Sequence, residues 1–452
     1  MVIVRALVLV FLSTLALDWP ALPFNARLAD VLFVALAIAV AVRPFRRPTL
    51  HPLDMLVACY FAGSVIATLV SGDPRSSAIE LIRHGYLIVI YVVIAAAVRQ
   101  GFAATIGLGL ALSGALLANI GLALMFVTLV TGIAFPGAGD LMTLPYVGNV
   151  LRLRAFTATE AMLASVLAMA VPFAMVRATG ERAARWGITT ALMIGAASLT
   201  FSHSVAGVLV ASLLSARPWL QARTIAWRLS IAATIIGVLV FNFAATISIR
   251  SIGTELRDRG EYSYGVETRR TTISGVEVEF SVISYFRLKE IAWDAFKTHP
   301  LAGAGLDQFH TLTYAAYSAG RLPSHYQETD PHSTFLGRLA ETGLTGTLPL
   351  IALWIGIFMT ARELLAQPIE RPVALALFAG LCGLLVNTFN ADVMNFRFLW
   401  VAIGLLRGLS EPGVLQGGRA ERINAFETPG PGAEVTAVAR EPQVIRERVR
   451  RR

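Results

Sequence analysis

Charge and cysteine are both scarce in this 452-residue chain, and each scarcity excludes something. The two cysteines, Cys59 and Cys382, stand inside apolar runs, so they offer no disulfide framework and no thiolate spacing for a metal. Charged residues make up 15% of the chain, against about 25% in a soluble domain. There is no Walker loop and no dinucleotide fingerprint, hence no cradle for a nucleotide. His299, His310 and His325 are scattered without helical metal spacing, so neither a metal nor any other cofactor is expected.

What fills the space is apolar: 56% of the residues are hydrophobic and mean hydropathy is +0.65. A span needs about 20 mostly apolar residues. Windows near 2–17, 27–42, 53–70, 79–98, 102–130, 156–176, 186–201, 204–216, 224–247, 333–360, 373–389 and 394–408 qualify. The expected fold is an all-α polytopic membrane protein of about twelve transmembrane helices. The first run starts after Arg5 like a signal peptide, but Asp18-Trp19-Pro20 follows it in place of a small-residue cleavage site, so it reads as an uncleaved span.

The net charge of +9 is a topology signal and not a sign of nucleic acid as a partner, because it collects in short loops between spans. Alternate loops carry Arg43, Arg46 and Arg47; Arg99; Arg177, Arg182 and Arg185; Arg217 and Arg223; Arg362 and Arg371. The tail ending Arg446 to Arg452 falls on the same side, which places both termini in the cytoplasm. Four parts follow: nine spans in 1–247, a large extracytoplasmic loop over 248–331, three spans in 332–408, and a basic tail over 409–452. The tail is rich in Gly, Pro, Glu and Arg and reads as disordered; its terminal arginines either touch anionic lipid or are simply solvated.

Within the loop, Val276 to Ile283 alternates like a short strand, and Tyr285 to Thr298 is an amphipathic helix with Phe286, Ile291, Ala295 and Phe296 on its apolar side. His299-Pro300 ends that helix, and Gly303 and Gly305 permit the turn after it. The loop closes on Asp330-Pro331-His332-Ser333, where Asp330 suits a cap, Pro331 the first helical position, and His332 the first turn. An imidazole beside unclaimed backbone N–H groups suits work on an anionic substrate.

Three segments together resemble the O-antigen ligase and polymerase superfamily. Tyr285-Phe286-Arg287, Trp293, and His299-Pro300-Leu301-Ala302-Gly303-Ala304-Gly305 with Phe309 is similar to that family's Arg, Trp and Pro-Leu-x-Gly-x-Gly segment. His332-Ser333-Thr334-Phe335-Leu336 with Glu341-x-Gly343 and Gly346 resembles its His-Asn-x-x-Leu and Glu-x-Gly-x-x-Gly. Arg152-Leu153-Arg154-Ala155-Phe156 resembles an Arg-containing run at the start of a family helix. The departures are Ser333 for Asn, His203 where many members have Arg, and Thr159-Glu160 for a frequent Pro-Asn.

The resemblance implies a GT-C-like glycosyltransferase of the bacterial inner membrane. Its donor would be a glycan on undecaprenyl pyrophosphate and its acceptor a hydroxyl of a glycan, of lipid A core or of a protein, with inversion and without a metal. His332 and Arg287 would be catalytic, His332 as base or as orienter of the acceptor hydroxyl. Arg152, Arg154 and His203 would meet the pyrophosphate, since guanidinium forks match phosphate oxygens bidentately. Each has a plainer reading: Arg287 paired with Glu290 at i,i+3, Arg152 and Arg154 as interfacial anchors, His332 as a helix-start residue. His84 and Arg83, with Glu80, either line an acceptor cavity or anchor a helix end, and Asp392, Asn395 and Arg397 form a similar cluster. Arg338 and Glu341 read as a structural i,i+3 pair, Glu341 being half a turn round the helix from His332. The outlying Arg321 also sits on the side that disfavours arginine. The sequence fits a secondary transporter poorly, because its halves show no repeat, and it leaves sugars and oligomeric state open.

Overall fold

The computed structural model describes residues 2–18, 27–43, 49–133, 135, 137–144, 148–178, 183–216, 246–249, 268–273, 276–281, 284–322, 330–367 and 371–411. Helices dominate: α1 (Val2–Thr14), α2 (Leu28–Ala41), α3 (Pro52–Leu69), α4 (Pro74–Ala97), α5 (Ala103–Thr131), α6 (Glu160–Arg177), α7 (Ala183–Ser198), α8 (Val205–Ala216), α9 (Ser284–Thr298), α10 (Phe309–Ser318), α11 (Thr334–Leu365), α12 (Arg371–Asn387) and α13 (Arg397–Leu409). Among the described residues, four stretches are long and apolar enough to cross a membrane: Pro52–Leu69, Pro74–Thr131, Glu160–Arg177 and Thr334–Leu365. α1, α2, α8 and α12 are shorter apolar helices. Most of the span expected near 224–247, and the tail beyond residue 411, lie outside the described residues.

The expectation of an all-α chain needs two corrections. β1 (Gly139–Leu144) and β2 (Gly148–Leu153) form an antiparallel hairpin. β3 (Thr246–Ile249) and β4 (Thr268–Ile273) flank β5 (Val276–Ser281) in a three-stranded antiparallel sheet, so Thr246 and Ile247, read as the end of a span, belong to a strand. The hairpin also displaces the expected span start: Arg152 and Leu153 end β2, and α6 begins only at Glu160, capped by the Thr159 hydroxyl, which accepts from the Met162 N–H at 3.1 Å. The loop expected around Arg99 is a π-helical segment, Val98–Phe102, that joins α4 to α5 and turns at Gly101 with φ 92°.

Helix starts follow local chemistry. Asp73 accepts from the N–H groups of Arg75 and Ser76, with Pro74 at the first position of α4. The start of α11 differs from the sequence expectation. Ser333 is the cap, not Asp330, and its hydroxyl accepts from the Leu336 N–H at 3.5 Å. Pro331 and His332 therefore precede the helix, and His332 adopts a left-handed φ of 46°.

Between helices the packing uses small residues. Where α11 crosses α3, a Cβ on Gly63 would stand 2.5 Å from the Thr345 carbonyl oxygen and 2.6 Å from Gly346 Cα. Such close backbone approach is how helices associate in lipid, where apolar burial supplies little drive. Elsewhere Leu348, Ile351, Ile355 and Met359 lie exposed at helical spacing down one face of α11. An apolar stripe of that kind is costly in water and costs nothing against acyl chains.

The two ends of the bundle differ. One carries α9, α10 and the hairpin. At the other, Arg407, 2% exposed, donates from Nε to the Asp54 carboxylate at 3.1 Å and from a terminal nitrogen to the Thr49 carbonyl, and it pairs with Glu411 at 3.5 Å. Arg99 also reaches Glu411 at 3.3 Å, and the Tyr91 hydroxyl donates to Asp54.

Candidate functional site

A backbone crossing frames the site. Gly343 (φ 57°, ψ −153°) breaks α11, which frees carbonyls on one side of the break and N–H groups on the other. The turn after α9 takes them up: the Ala304 and Gly305 N–H groups donate to the Ala340 and Glu341 carbonyls at 2.8 and 3.0 Å. In return the Leu344 and Thr345 N–H groups donate to the Pro300 and Leu301 carbonyls at 2.9 and 3.0 Å. A Cβ on Gly303 would lie 2.2 Å from the Glu341 carbonyl carbon, and one on Gly343 would lie 2.4 Å from the Leu301 oxygen. The glycines of the two sequence motifs are thus halves of one crossing. Leu288, Ile291, Ala292 and Ala295 of α9 seal it by packing with Phe309, Ala316 and Ala340.

A cavity of about 170 Å³ opens beside the crossing, with Glu80, Asp307, His310, Arg338, Glu341 and Asp392 in its wall. Arg338, 2% exposed, donates to Asp392 at 2.6 Å and Asn395 at 3.1 Å, and it pairs with Glu341 at 3.5 Å. The second Glu341 oxygen accepts from the Phe309 N–H at 3.3 Å, at the start of α10. Burial raises the pKa of the Asp392 carboxyl against the pull of Arg338.

Basic groups gather around His203. His203 lies in the corner between α7 and α8; burial lowers its pKa, and the charges of Lys289, Arg152 and His332 lower it further. Three separate segments, β2, α9 and the turn before α11, therefore bring a basic group within electrostatic reach of the His203 imidazole in the corner between α7 and α8. Arg152 is held by the Thr200 carbonyl at 3.0 Å and by Glu160 at 3.4 Å. Burial lowers the Lys289 amine as well. A half-buried cluster of this sign suits a diphosphate.

Backbone conformation singles out the same end. Five described non-glycine residues have positive φ: Ala155 (52°), Phe156 (60°), Phe201 (48°), Asp307 (60°) and His332 (46°). Ala155 follows Arg154, Phe201 precedes the His203 corner, Asp307 lines the cavity, and the fifth is His332 itself. Residues held in such regions cost free energy and gather at functional sites. The His332 N–H donates to the Asp330 carboxylate at 2.7 Å, and its Nδ1 stands 3.5 Å from the same oxygen.

The remaining candidates are placed as follows. Arg154 donates from Nε to the Thr157 carbonyl at 2.7 Å, in the turn before α6. Arg287 pairs with Glu290 at 2.6 Å on α9. Arg83 is mostly exposed and pairs with Glu80 at 2.9 Å, while buried His84 meets Ser64 Oγ at 3.2 Å. Arg321 pairs with Asp294 at 3.1 Å. Arg397 leaves the Asp392 and Asn395 cluster and pairs with Asp30 at 2.9 Å. Lys289, Asp307 and His310 went unnoticed as site residues. Lys289 had a signal, being a charge on the apolar side of an amphipathic helix; the other two had none that one sequence carries.

Residues 188–351 match the family model of the O-antigen ligase domain. Over that stretch the chain is similar to the O-antigen ligase family. No curated protein matches it. The ligase match runs from α7 into α11 and takes in His203, Arg287, Lys289, His332, Arg338 and Glu341. Arg152, Arg154 and the α4 cluster of Arg83 and His84 lie before it and are joined to the ligase domain only by folding.

Proposed function

We propose that this chain is a membrane glycosyltransferase that moves a glycan from an undecaprenyl-pyrophosphate carrier to a hydroxyl acceptor at the extracytoplasmic face of the bacterial inner membrane, both termini being cytoplasmic. The reading is supported by the electrostatic grouping of Arg152, Lys289 and His332 about His203, by the left-handed backbone at Ala155, Phe156, Phe201 and His332, and by the ligase match over 188–351. Transfer forms a bond from the acceptor oxygen to the anomeric carbon and breaks the bond from that carbon to the phosphate oxygen. The pyrophosphate leaves with the bonding pair, and Arg152 and Lys289 stabilise the charge it gains. His203, kept neutral by burial and its basic neighbours, donates one ring N–H to a phosphate oxygen. His332 orients the acceptor hydroxyl or takes its proton. Inversion and independence from metal follow the family resemblance. On this reading Arg154 and Arg287 meet the donor as it arrives.

The acceptor is a polysaccharide end, lipid A core or a protein hydroxyl. The test is transfer from a polyprenyl-pyrophosphate glycan to each acceptor by purified wild type, His332→Ala and Arg152→Ala. Loss in both variants with normal melting supports the reading; full activity in both sinks the site, and no transfer by wild type to any acceptor sinks the function.

A further inference from the structure

We propose that the carboxylate-walled cavity is the acceptor-sugar subsite, and that it takes a terminal sugar with free hydroxyls or an amine and rejects a uronate. This rests on the glycosyl-transfer reading above. The cavity adjoins His332 directly, since Asp330, Pro331 and Ser333 are in its wall. Its volume of about 170 Å³ far exceeds the ~10–15 Å³ that a single water needs.

The wall has a definite sign. Glu80, Asp307, Asp330, Glu341 and Asp392 contribute carboxyl groups; Arg338 is the guanidinium in the wall, and Arg83 engages Glu80 from outside it. Glu341 and Asp392 are engaged by Arg338, and Asp307 accepts from the Ser76 hydroxyl at 2.7 Å with one oxygen. A carboxylate only accepts and has about four lone-pair sites, so adjacent hydroxyls or an ammonium group are its natural complements. Among the described residues no set of three such groups is arranged to hold a metal ion.

Buried side chains behind the wall point the same way. His84, 2% exposed, turns Nδ1 to Ser64 at 3.2 Å and Nε2 toward the Glu80 carboxylate of the wall at 3.7 Å, which holds that carboxylate in place. Gln308, 5% exposed and flanked by the wall residues Asp307 and Phe309, has a buried Nε2 with no hydrogen-bond partner. Buried polar groups left open in a native structure are completed by ligand or ordered water. His332 then adjoins two fields of opposite sign, a basic cluster for the pyrophosphate and an acidic cavity for the acceptor. That arrangement admits each substrate to its own side and repels it from the other.

The test is binding of methyl glucosaminide, methyl glucoside and methyl glucuronide to the full-length protein in nanodiscs at pH 7, read by saturation-transfer NMR without donor. The glucosaminide and glucoside bind and the glucuronide does not. Asp307→Asn, with an unchanged melt, weakens the glucosaminide about tenfold, the worth of one charge-assisted hydrogen bond. Equal binding of the glucuronide, absence of binding by all three, or indifference to both Asp307→Asn and Glu80→Gln overturns the proposal. Because no donor is present, intact sugar discrimination in a protein that transfers nothing sinks only the transferase reading. Normal transfer without discrimination sinks only the subsite.

Discussion

The two ends of the bundle spend their charges differently. At the end without the insertion, Arg407 and Arg99 close on Asp54 and Glu411, and Thr49 and Tyr91 complete the cluster. The described non-glycine residues with positive φ are all elsewhere. At the other end Arg338 is just as buried, but its carboxylates line a cavity, a neutral histidine sits among cationic groups, and five residues hold left-handed backbone. A buried charge needs a partner at either end. The first end satisfies that need by closing, and the second keeps the charges accessible at a cost in strain. The difference separates a clasp from a site.

Four measurements break or sharpen that contrast. The largest effect is expected from His332→Asn. Asparagine tolerates a left-handed φ, so the melt stays within about 0.5 kcal/mol, while transfer falls about 10²–10⁴-fold through loss of the imidazole. A melt that collapses together with activity would reduce His332 to a structural residue. Next is Arg407→Met at the clasp, which strips Asp54 of its cation, leaves Glu411 to Arg99, and costs about 3 kcal/mol. Chemical denaturation checks it, and turnover per folded molecule should not change; a drop in turnover would erase the distinction between the ends.

His203 gives a smaller, pH-dependent effect. Its folded pKa is lowered by burial and by Lys289, Arg152 and His332, so below its unfolded pKa of about 6.5 the unfolded chain binds the extra proton. Stability is fully present above that pH and declines as pH falls toward the lower folded value. His203→Gln should flatten that part of the melt-versus-pH curve, and an unaltered slope would remove His203 from the basic cluster. The smallest effect is expected from Glu290→Gln, which breaks a partly exposed i,i+3 pair with Arg287 and costs under about 0.5 kcal/mol. If transfer falls as well, Arg287 depends on Glu290 for its approach to the donor.

Much of the helical framework was legible because apolar run length and charged interruptions are local properties. The α9 boundaries, the β5 strand and the histidine–proline stop all follow from short-range pattern. The β1–β2 hairpin was not, since Gly139 to Leu153 has the apolar content of loop and span edge alike and is fixed by pairing across the turn. The α11 start was misplaced by three residues because Asp330-Pro331 and Ser333 are both good start signals. The choice of Ser333 lets Thr334 donate its N–H to the Thr388 carbonyl and its hydroxyl to the Ala391 carbonyl.

The sequence by itself determined that the chain is helical and apolar enough to cross a membrane, that it carries a polar insertion before its last spans, and that His332, Arg152, His203 and Arg338 were worth watching. Those are matters of composition, period and residue chemistry. Only the tertiary structure decided that Arg152 and Lys289 act on His203 while Arg287 turns to Glu290, that Arg397 leaves Asp392 to Arg338 and pairs with Asp30, and that five carboxyl side chains line a cavity beside His332. Electrostatic partnership falls off over a few ångströms, and residues fifty to several hundred positions apart are brought that close only by the packing of the elements that carry them.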